Sequence, residues 1–283
     1  MTPRLFATSA GLVLEHEARY VDWSARMRHE GVEGDLLSHV RAGVFERQRF
    51  GELWSSGPWI DVAPPVQVDV PIPRPGKILA LGKNFAAHAA EFGERVPAEP
   101  LVFEKLPECL VPSGATVSPP PGYDRRFDHE AELAVWIGGE GRAVAPERAL
   151  ELVAGYTVAN DLTLRSLQGS DRKQGRPWFF AKNFDGALPL GPCFVPRDQL
   201  DVSELTVTCS VNGELRQAAS TRQFVVSIEQ AIAHISRHLT LHAGDLVLMG
   251  TPAGVGPLED GDVVVAAVEG IGDLVTTIAR PRG

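Results

Sequence analysis

The sequence predicts a mixed α+β fold in which β-strands predominate. After Gly76 the chain consists mainly of short apolar runs separated by turn residues, a pattern typical of strands. Asn212-Gly213 lies between two alternating segments, which is a strong signal for a β-hairpin. Few segments of this region have helical spacing. Hydrophobic and charged residues, at 44% and 22% of the chain, occur in the proportions of an ordinary globular protein.

The first part of the chain differs in texture from the rest. Its amphipathic segment Ala25–Leu53 predicts a helix that is interrupted near Gly31 and Gly34. A proline-rich stretch follows, and because proline prevents helix this stretch favours an extended connection. These features divide the chain into a small N-terminal appendage domain, a linker and a main domain, at residues 1–62, 63–76 and 77–283.

The main domain contains predicted hairpins and helices in a definite order. The hairpins join Leu205–Val211 to the segment that starts at Glu214, and Val263–Val268 to Leu274–Ala279. Helices are predicted over Asn84–Gly93 with Asn84 as N-cap, over Pro146–Ala154 with Gly155 as the closing residue, and over Ser227–Leu241.

The charge and cysteine content argue against several classes of protein. The chain has 27 Lys and Arg against 36 Asp and Glu, and its net charge of −9 repels nucleic-acid phosphates and acidic membranes. Its three cysteines form no Cys-x-x-Cys pair and cannot all be in disulfides, which indicates a reducing compartment. The longest apolar run, Val263–Val268, is too short to span a bilayer. We expect a cytoplasmic protein that binds neither nucleic acid nor membranes.

Two carboxylates lie side by side in the segment FDHEAELAVWIG. Glu130 and Glu132 are separated by one residue in a predicted strand, so their side chains project from the same face. Like charges this close repel unless a cation lies between them or one of them is protonated. The pair is therefore either a metal site or part of a solvated edge strand, and the apolar run Leu133–Ile137 favours an interior strand.

A third carboxylate, Asp161, ends the apolar segment that starts at Tyr156. Functional sites are often built at such strand ends, although Asp also commonly caps a turn there. If Asp161 meets Glu130 and Glu132, three carboxylate oxygens without Cys or His select a hard ion such as Mg²⁺, Mn²⁺ or Ca²⁺. Zinc is not expected.

His88 and Glu91 are three residues apart on a predicted helix and therefore share a face. Glu91 can accept a hydrogen bond from one imidazole nitrogen, which leaves the other nitrogen as a base. A base with an orienting carboxylate and no side-chain nucleophile suits the activation of water. The alternative is an ordinary surface His–Glu contact.

Further polar residues follow in the next segments. Arg165 and Gln168 precede a polar stretch, residues 169–177, that we expect to be mobile. Lys182 comes after an aromatic run, so its ammonium group is expected to be partly desolvated and available to an anionic substrate.

The glycine-rich segment Gly250–Gly256 follows a predicted strand. Its backbone N–H groups, with the hydroxyl of Thr251, are suited to binding a carboxylate. The segment lacks the lysine of a nucleotide-binding P-loop. The alternative is a simple turn.

Taken in order, these segments resemble the fumarylacetoacetate hydrolase family over residue 77 to the C-terminus. The resemblance is carried by seven blocks: GKNFAAHAAEFG, LVFEK, FDHEAELAVWIG, GYTVANDLTLRSLQ, PWFFAKNFDGALPLGP, VNGELRQ and GDLVLMGTPAGVG. It implies a β-roll-like catalytic domain, usually dimeric, that binds Mg²⁺ or Mn²⁺, or Ca²⁺ in crystals, and acts on small 2-oxo or β-diketo acids, a chemistry of aromatic compound catabolism.

By position, the resemblance also assigns roles. It implies metal binding by Glu130, Glu132 and Asp161; catalysis by His88, Glu91 and Lys182; and substrate binding by Arg165, Gln168, Gly250 and Thr251. Three residues depart from the family pattern, namely Lys83, Phe85 and His129. None of them removes a catalytic group, but they affect the choice of substrate, because Lys83 adds a positive charge and Phe85 lacks a hydroxyl.

The activity that the resemblance implies is hydrolysis of a carbon–carbon bond in an acylpyruvate or fumarylpyruvate-like acid. The same metal-stabilised enolate would also serve a decarboxylase of oxaloacetate-like acids or an isomerase of unsaturated dioates. A carboxylate-binding protein without catalytic activity is the remaining alternative.

Overall fold

The computed structural model describes residues 2–72, 74–93 and 95–280. Within them, strands predominate over helices, which confirms the predicted mixed fold. The strands are β1 (Arg4–Thr8), β2 (Gly11–His16), β3 (Arg19–Asp22), β4 (Ile78–Gly82), β5 (Leu101–Lys105), β6 (Leu110–Val111), β7 (Thr116–Val117), β8 (Ala131–Ile137), β9 (Val153–Asn160), β10 (Leu188–Pro196), β11 (Thr206–Val211), β12 (Glu214–Ser220), β13 (Leu246–Leu248), β14 (Val263–Val268) and β15 (Gly272–Ile278). The helices are α1 (Trp23–His29), α2 (Leu36–Arg41), α3 (Arg47–Ser55), α4 (Ala86–Glu91), α5 (Pro146–Ala149), α6 (Arg165–Lys173), α7 (Phe179–Lys182) and α8 (Ile228–His238).

The larger sheet contains the strands that carry the carboxylates. Its order is β3-β2-β1-β10-β9-β8-β13-β4-β5, and β6 pairs with β10 off this path. The N-terminal strands extend the sheet, since β1 pairs with β10 through Leu5 and Phe194. Strand β8 lies between β9 and β13 and is therefore an interior strand.

The smaller sheet has the order β12-β11-β14-β15-β7 and contains both predicted hairpins. Asn212 and Gly213 connect β11 to β12 with φ of 51° and 81°. Both positive values fit the two-residue turn that Asn-Gly favours. Strands β14 and β15 form the second hairpin, paired from Val263–Thr277 to Val268–Gly272.

Strand β8 separates two hydrophobic cores. All seven of its residues are buried, and alternate side chains point to opposite faces of the sheet. Leu133 and Val135 pack into the core shared with the smaller sheet and α8, whereas Ala134 and Trp136 pack into a second core with Trp23 of α1. This burial on both faces explains the continuous apolar run in the sequence.

The N-terminal amphipathic segment forms α1, α2 and α3. The break between α1 and α2 lies at Gly31 and Gly34, as predicted, but a second break, between Arg41 and Arg47, was not predicted. Gly31 and Gly34 adopt φ of 73° and 110°, in the region that glycine tolerates best. Asp22 and Asp35 then cap α1 and α2, each by accepting a hydrogen bond from a backbone N–H three residues later.

The helix predicted over Pro146–Ala154 is wrong in its second half. Helix α5 ends at Ala149, a 3₁₀ turn covers Leu150–Leu152, and β9 begins at Val153. Gly155 lies inside β9, where a Cβ atom would be 2.2 Å from the carbonyl oxygen of Val195. The glycine therefore permits close contact with the neighbouring strand and does not close a helix.

The late helix agrees with the prediction but is shorter. Helix α8 begins with a capping box formed by Ser227 and Gln230 and ends at His238, because Leu239 is extended. Among the helices that the structure describes, none is long and apolar enough to cross a membrane.

Candidate active site

A cavity of about 180 Å³ lies beside the ends of β4, β5 and β8 and beneath helices α4, α6 and α7. Its lining brings acidic, basic and aromatic side chains together. Among the lining residues are Glu130, Glu132, Lys83, His88, Arg165, Gln168, Arg172, Lys182, Thr251, Phe92, Phe103 and Trp178. Most of the predicted site residues therefore line the same cavity.

The three predicted metal carboxylates converge. Glu130, Glu132 and Asp161 each offer a carboxylate oxygen, and these atoms lie within 4.8 Å of one another. The pairing of Ala131 with Asn160 brings the ends of β8 and β9 together, and the Asp161 N–H donates to the Glu130 carbonyl at 2.8 Å. All three side chains are buried, so the edge-strand alternative is wrong.

The electrostatics of this cluster fit a hard cation. Burial, followed by repulsion from Asp161 and Glu130, raises the pKa of Glu132 well above its ordinary range. Burial and neighbouring negative charge favour the neutral form of a carboxyl group, and a bound cation would oppose both effects. Carboxylate oxygens without sulfur or imidazole suit Mg²⁺ or Mn²⁺, so the residues present fit such an ion.

Lys182 lies at the end of α7 and binds two of the carboxylates. Its Nζ is 2.7 Å from Glu130 Oε2 and 2.6 Å from Asp161 Oδ2. Burial opposes its charge, but Asp161 and Glu130 raise the pKa of Lys182 overall. The side chain is 3% exposed, so the expected partial desolvation is in fact nearly complete.

Lys105 is a second buried lysine in the cluster, and sequence reasoning did not assign it a role. Its Nζ is 2.7 Å from Asp161 Oδ1, on the side away from Lys182, and it also donates to the Lys182 carbonyl. The only signal in the sequence was a lysine at the end of the apolar block LVFEK, where it looks like an ordinary strand end. Lys105 and Lys182 therefore each hold one carboxylate oxygen of Asp161.

Arg165 and Gln168 lie on α6, above the carboxylates. Arg165 donates to Glu130 and to Gln168 Oε1, the latter at 2.7 Å, while its Nε is 2.8 Å from Asp128 Oδ2. Asp128 is fully buried and also accepts three hydrogen bonds from Arg126. Burial favours the neutral form of Glu130, but Lys182 and Arg165 lower the pKa of this carboxyl group overall. Asp128 was a further residue that the sequence did not single out.

The stretch predicted to be mobile is partly helical. Helix α6 covers Arg165–Lys173, so the first half of residues 169–177 belongs to it. The polar composition of this stretch reflects the position of α6, because one face of the helix lines the cavity and the other faces solvent.

His88 and Glu91 form the expected pair on α4. His88 Nδ1 is 3.0 Å from Glu91 Oε2, and the backbone N–H of Gly254 donates to Glu91 Oε1 at 2.7 Å. His88 is buried and lines the cavity beside Glu130. One carboxylate oxygen therefore orients the imidazole while the other is held by the glycine-rich loop.

The predicted N-cap of this helix is wrong. Phe85, which has no capping side chain, precedes α4. The amide of Asn84 instead donates to the carbonyls of Val226 and Met249, and its oxygen accepts from Val226 N–H at 2.7 Å. Asn84 thus joins the base of α4 to two other segments, a tertiary role that local sequence does not reveal.

The glycine-rich loop binds carboxylates of the protein itself. Gly250 N–H donates to Glu132 Oε2 at 2.7 Å, as Gly254 N–H does to Glu91. Gly254 has φ of 101°, and a Cβ there would be 2.0 Å from the Arg216 carbonyl oxygen, so only glycine fits. Within the described chain, Thr251 lines the cavity whereas Gly250 does not, and the substrate contacts of both remain predictions.

Gln217 supports the loop and was not identified from the sequence. Its Nε2 donates to Thr251 Oγ1 at 2.8 Å, and its Oε1 is 3.1 Å from both His129 Nδ1 and Ala131 N. The residue lies in the block VNGELRQ, where an isolated glutamine at a hairpin gives no indication of function. Gln217 thus joins His129 and the start of β8 to Thr251.

Comparison with known proteins identifies the family of the chain. The family model described as fumarylacetoacetate (FAA) hydrolase C-terminal matches residues 77–279. The mitochondrial oxaloacetate tautomerase FAHD1 of Bos taurus is 38% identical over 206 residues, which cover 72% of this chain and 92% of the relative.

Two solved structures extend the comparison. Fumarylacetoacetate hydrolase from Exiguobacterium antarcticum is 30% identical, with a TM-score of 0.83 over 99% of this chain and 100% of its own. Fumarylpyruvate hydrolase from Pseudomonas aeruginosa, solved in complex with Mn²⁺ and pyruvate, is 33% identical, with a TM-score of 0.70 over 78% of this chain and 94% of its own. The chain therefore belongs to the fumarylacetoacetate hydrolase family.

Proposed function

We propose that this protein is a divalent-metal-dependent hydrolase that cleaves a carbon–carbon bond in acylpyruvate or fumarylpyruvate-like acids. The observation that carries the proposal is that His88, oriented by Glu91, lines the same cavity as the carboxylates Glu130 and Glu132. A base and a cation site that share one cavity are the two parts that hydrolysis of a β-diketo acid requires.

Glu130, Glu132 and Asp161 would hold the ion, which we take to be Mg²⁺ or Mn²⁺. When bound, the ion would supply chelation of the 2-oxo carboxylate and Lewis-acid stabilisation of enolate charge. The Mn²⁺ and pyruvate in the fumarylpyruvate hydrolase of Pseudomonas aeruginosa support this choice of ion and of ligand class.

The residues of the chain then divide the chemistry. His88, oriented by Glu91, takes a proton from water, and the water oxygen adds to the distal carbonyl carbon. Collapse of this adduct breaks the bond between that carbon and C3 of the pyruvate part, which leaves a carboxylic acid and a pyruvate enolate. Lys182 and Arg165 place positive charge beside the enolate. The proton that His88 took from water then returns to C3, which gives pyruvate and restores the base.

A second candidate is a tautomerase or decarboxylase of oxaloacetate. The name of the Bos taurus relative, which is 38% identical, favours it. In a tautomerase, His88 would move a proton between C3 and the enol oxygen of the 2-oxo diacid. In a decarboxylase, the bond between C3 and its carboxylate would break, which releases carbon dioxide and leaves a pyruvate enolate that takes up a proton at C3. Neither reaction consumes water. Both candidates use the same cavity and differ in whether a water molecule attacks.

A substrate panel distinguishes the candidates. The protein is incubated with Mg²⁺ or Mn²⁺ and with acetylpyruvate, fumarylpyruvate, oxaloacetate or a hydroxymuconate-type dioate, and pyruvate, carbon dioxide and the enol absorbance are followed. Hydrolysis predicts one pyruvate and one acid per acylpyruvate consumed, and loss of turnover in a chelator. Oxaloacetate conversion without acylpyruvate cleavage would support the second candidate, double-bond migration in the dioate would indicate an isomerase, and binding without turnover would indicate a carboxylate-binding protein.

Oligomeric state and location are part of the same proposal. We infer a cytoplasmic homodimer formed through the catalytic domain. The three cysteines are free and buried, which suits a reducing compartment, and dimerisation follows from the family resemblance. Light scattering at micromolar concentration should give twice the chain mass, and a monomer mass would contradict the dimer.

A further inference from the structure

In each carboxylate of the cluster, one oxygen is bound by a donor on the protein itself. The oxygens held in this way are Asp161 Oδ1 by Lys105 Nζ at 2.7 Å, Glu132 Oε2 by Gly250 N–H at 2.7 Å, and Glu130 Oε1 by Arg165. Each carboxylate therefore has one other oxygen with which to bind an ion. The donors decide which oxygen that is.

Lys105 is enclosed on every side. Its side chain is fully buried, and its Nζ donates to the carbonyl of Lys182 as well as to Asp161. Asn183 joins the same two segments, because its Oδ1 accepts from Leu106 N–H at 2.6 Å. Strand β5 and the end of α7 thus hold the ammonium group in place. Separating it from Asp161 would leave a buried charge without its partner, which is strongly unfavourable.

Lys182 holds the other oxygen of Asp161, but from the cavity. Its Nζ is 2.6 Å from Asp161 Oδ2, and its side chain lines the cavity. Within the part of the chain that the structure describes, Lys105 does not belong to that lining. Lys182 can therefore move into the cavity and yield Oδ2 to an ion, while Lys105 keeps Oδ1.

We propose that Lys105 is a positioning residue that limits Asp161 to one ligand oxygen, so that the site discriminates against Ca²⁺. Ca²⁺ takes about six to eight oxygens and often binds both oxygens of a carboxylate, whereas Mg²⁺ requires near-octahedral geometry and keeps several waters. Single oxygens from Asp161, Glu130 and Glu132 suit Mg²⁺ and leave the other positions to water or substrate. The inference rests on the metal site of the proposed function.

Ion competition tests the proposal without turnover. The chelator-treated protein is loaded with Mn²⁺, and Mg²⁺ or Ca²⁺ is added while free Mn²⁺ is followed by electron paramagnetic resonance. The ratio of the Ca²⁺ and Mg²⁺ concentrations that release half of the Mn²⁺ measures the discrimination. We expect the native protein to require at least about tenfold more Ca²⁺ than Mg²⁺, because Ca²⁺ gains no second oxygen from any of the carboxylates.

Lys105→Met keeps the length of the side chain but removes its donor and its charge. Asp161 can then turn both oxygens toward the ion, and the ratio should fall to within about threefold of one, an effect of the size that residues supporting metal ligands have on affinity. Loss of the charge alone would strengthen the binding of both divalent ions alike and leave the ratio unchanged.

Lys77→Met is the matched control. Lys77 Nζ also pairs with a buried carboxylate, that of Asp245 at 2.8 Å, which lies outside the cluster. This variant should keep the native ratio. Arg165→Met is a second test, because it frees Glu130 Oε1 in the same way and changes a side chain that is 10% exposed. It should lower the ratio, and it replaces Lys105→Met if that variant does not fold.

The outcomes separate the role of Lys105 from the proposed function. Release of Mn²⁺ by Ca²⁺ and Mg²⁺ at equal concentrations, a ratio that survives in Lys105→Met, or an equal fall in Lys77→Met overturns that role while the proposed function stands. If Lys105→Met does not fold, an unchanged ratio in Arg165→Met overturns it. If the native protein does not bind Mn²⁺, the metal site fails, and the proposed function fails with it.

Discussion

The inner end of the cavity and its α4 wall are built in different ways. At the inner end, Glu130, Glu132, Asp161 and Lys182 are between 0% and 4% exposed and are joined by ion pairs and backbone hydrogen bonds. On the wall, His88 lies on a helix of six residues, and the side chain of its partner Glu91 is 30% exposed. The inner end is held by interior strands, whereas the wall is a short helix that hydrogen bonds of Asn84 and Glu91 join to distant segments of the chain.

The difference suggests a division of labour. Groups that stabilise charge work best when they are fixed in advance in a dry environment, because they then need no reorganisation during the reaction. A group that exchanges protons with water has to reach the solvent. Substitutions at the inner end should therefore change stability and ion binding, and substitutions on the wall should change turnover alone.

The largest effect on stability is expected from Lys182→Met. The substitution leaves Glu130 and Asp161 buried without the ammonium that lies 2.7 and 2.6 Å from them. Removal of one partner from a buried ion pair typically costs about 3–5 kcal/mol. Urea unfolding of the metal-free protein should show this loss, and an unchanged midpoint would mean that the inner end is not held together by its charges.

The wall should respond in turnover. If His88 is the base, His88→Ala should lower kcat by about 10²–10⁴-fold, the usual contribution of a positioned general base, with little change in the urea midpoint. Initial rates with the substrate identified by the panel provide the measurement. Glu91→Gln is the companion variant and should lose less, because it keeps the shape but not the charge that orients the imidazole.

Full turnover by His88→Ala would place the base elsewhere. Loss of acylpyruvate cleavage with retention of oxaloacetate conversion would show instead that charge stabilisation at the inner end suffices for enolate chemistry, and that the wall serves only the attack of water.

A smaller effect, on the pH dependence of the stability of the folded protein, is expected for Glu132→Gln. The pKa of Glu132 is raised in the folded protein, so the folded state keeps a proton that the unfolded state releases above the ordinary value of 4.5. The metal-free native protein should therefore lose stability relative to Glu132→Gln as pH rises above 4.5, by about 1.4 kcal/mol for each pKa unit of the shift. Melting temperatures of both proteins in chelator from pH 5 to 8 test this, and a constant difference would contradict it.

Sequence patterns predicted the parts of this molecule that depend on local regularity. Alternation and an apolar run indicate a strand at Glu130, Glu132 and Leu133–Ile137. The dipeptide Asn212-Gly213 indicates a turn. The interior position of β8 and the hairpin follow directly from them.

The rest depends on contacts between distant segments. Asn84 looked like a helix cap but binds Val226 and Met249, and Gly155 looked like a helix end but makes room for Val195. Lys105 reaches Asp161 across 56 positions of sequence. Such pairings leave no periodic trace in a single sequence.

Mn²⁺ titration of the metal-free protein tests the central claim most directly, because it separates the inner end from the wall without requiring a known substrate. By calorimetry, the native protein and His88→Ala should each bind one ion per chain with dissociation constants within about threefold. Glu132→Gln should bind Mn²⁺ at least about 100-fold more weakly, because it loses a ligand of the ion. Substitution of residues that only support the ligands already lowers metal affinity by about 10–100-fold. Unchanged binding by Glu132→Gln, or an equal loss in His88→Ala, would contradict the account.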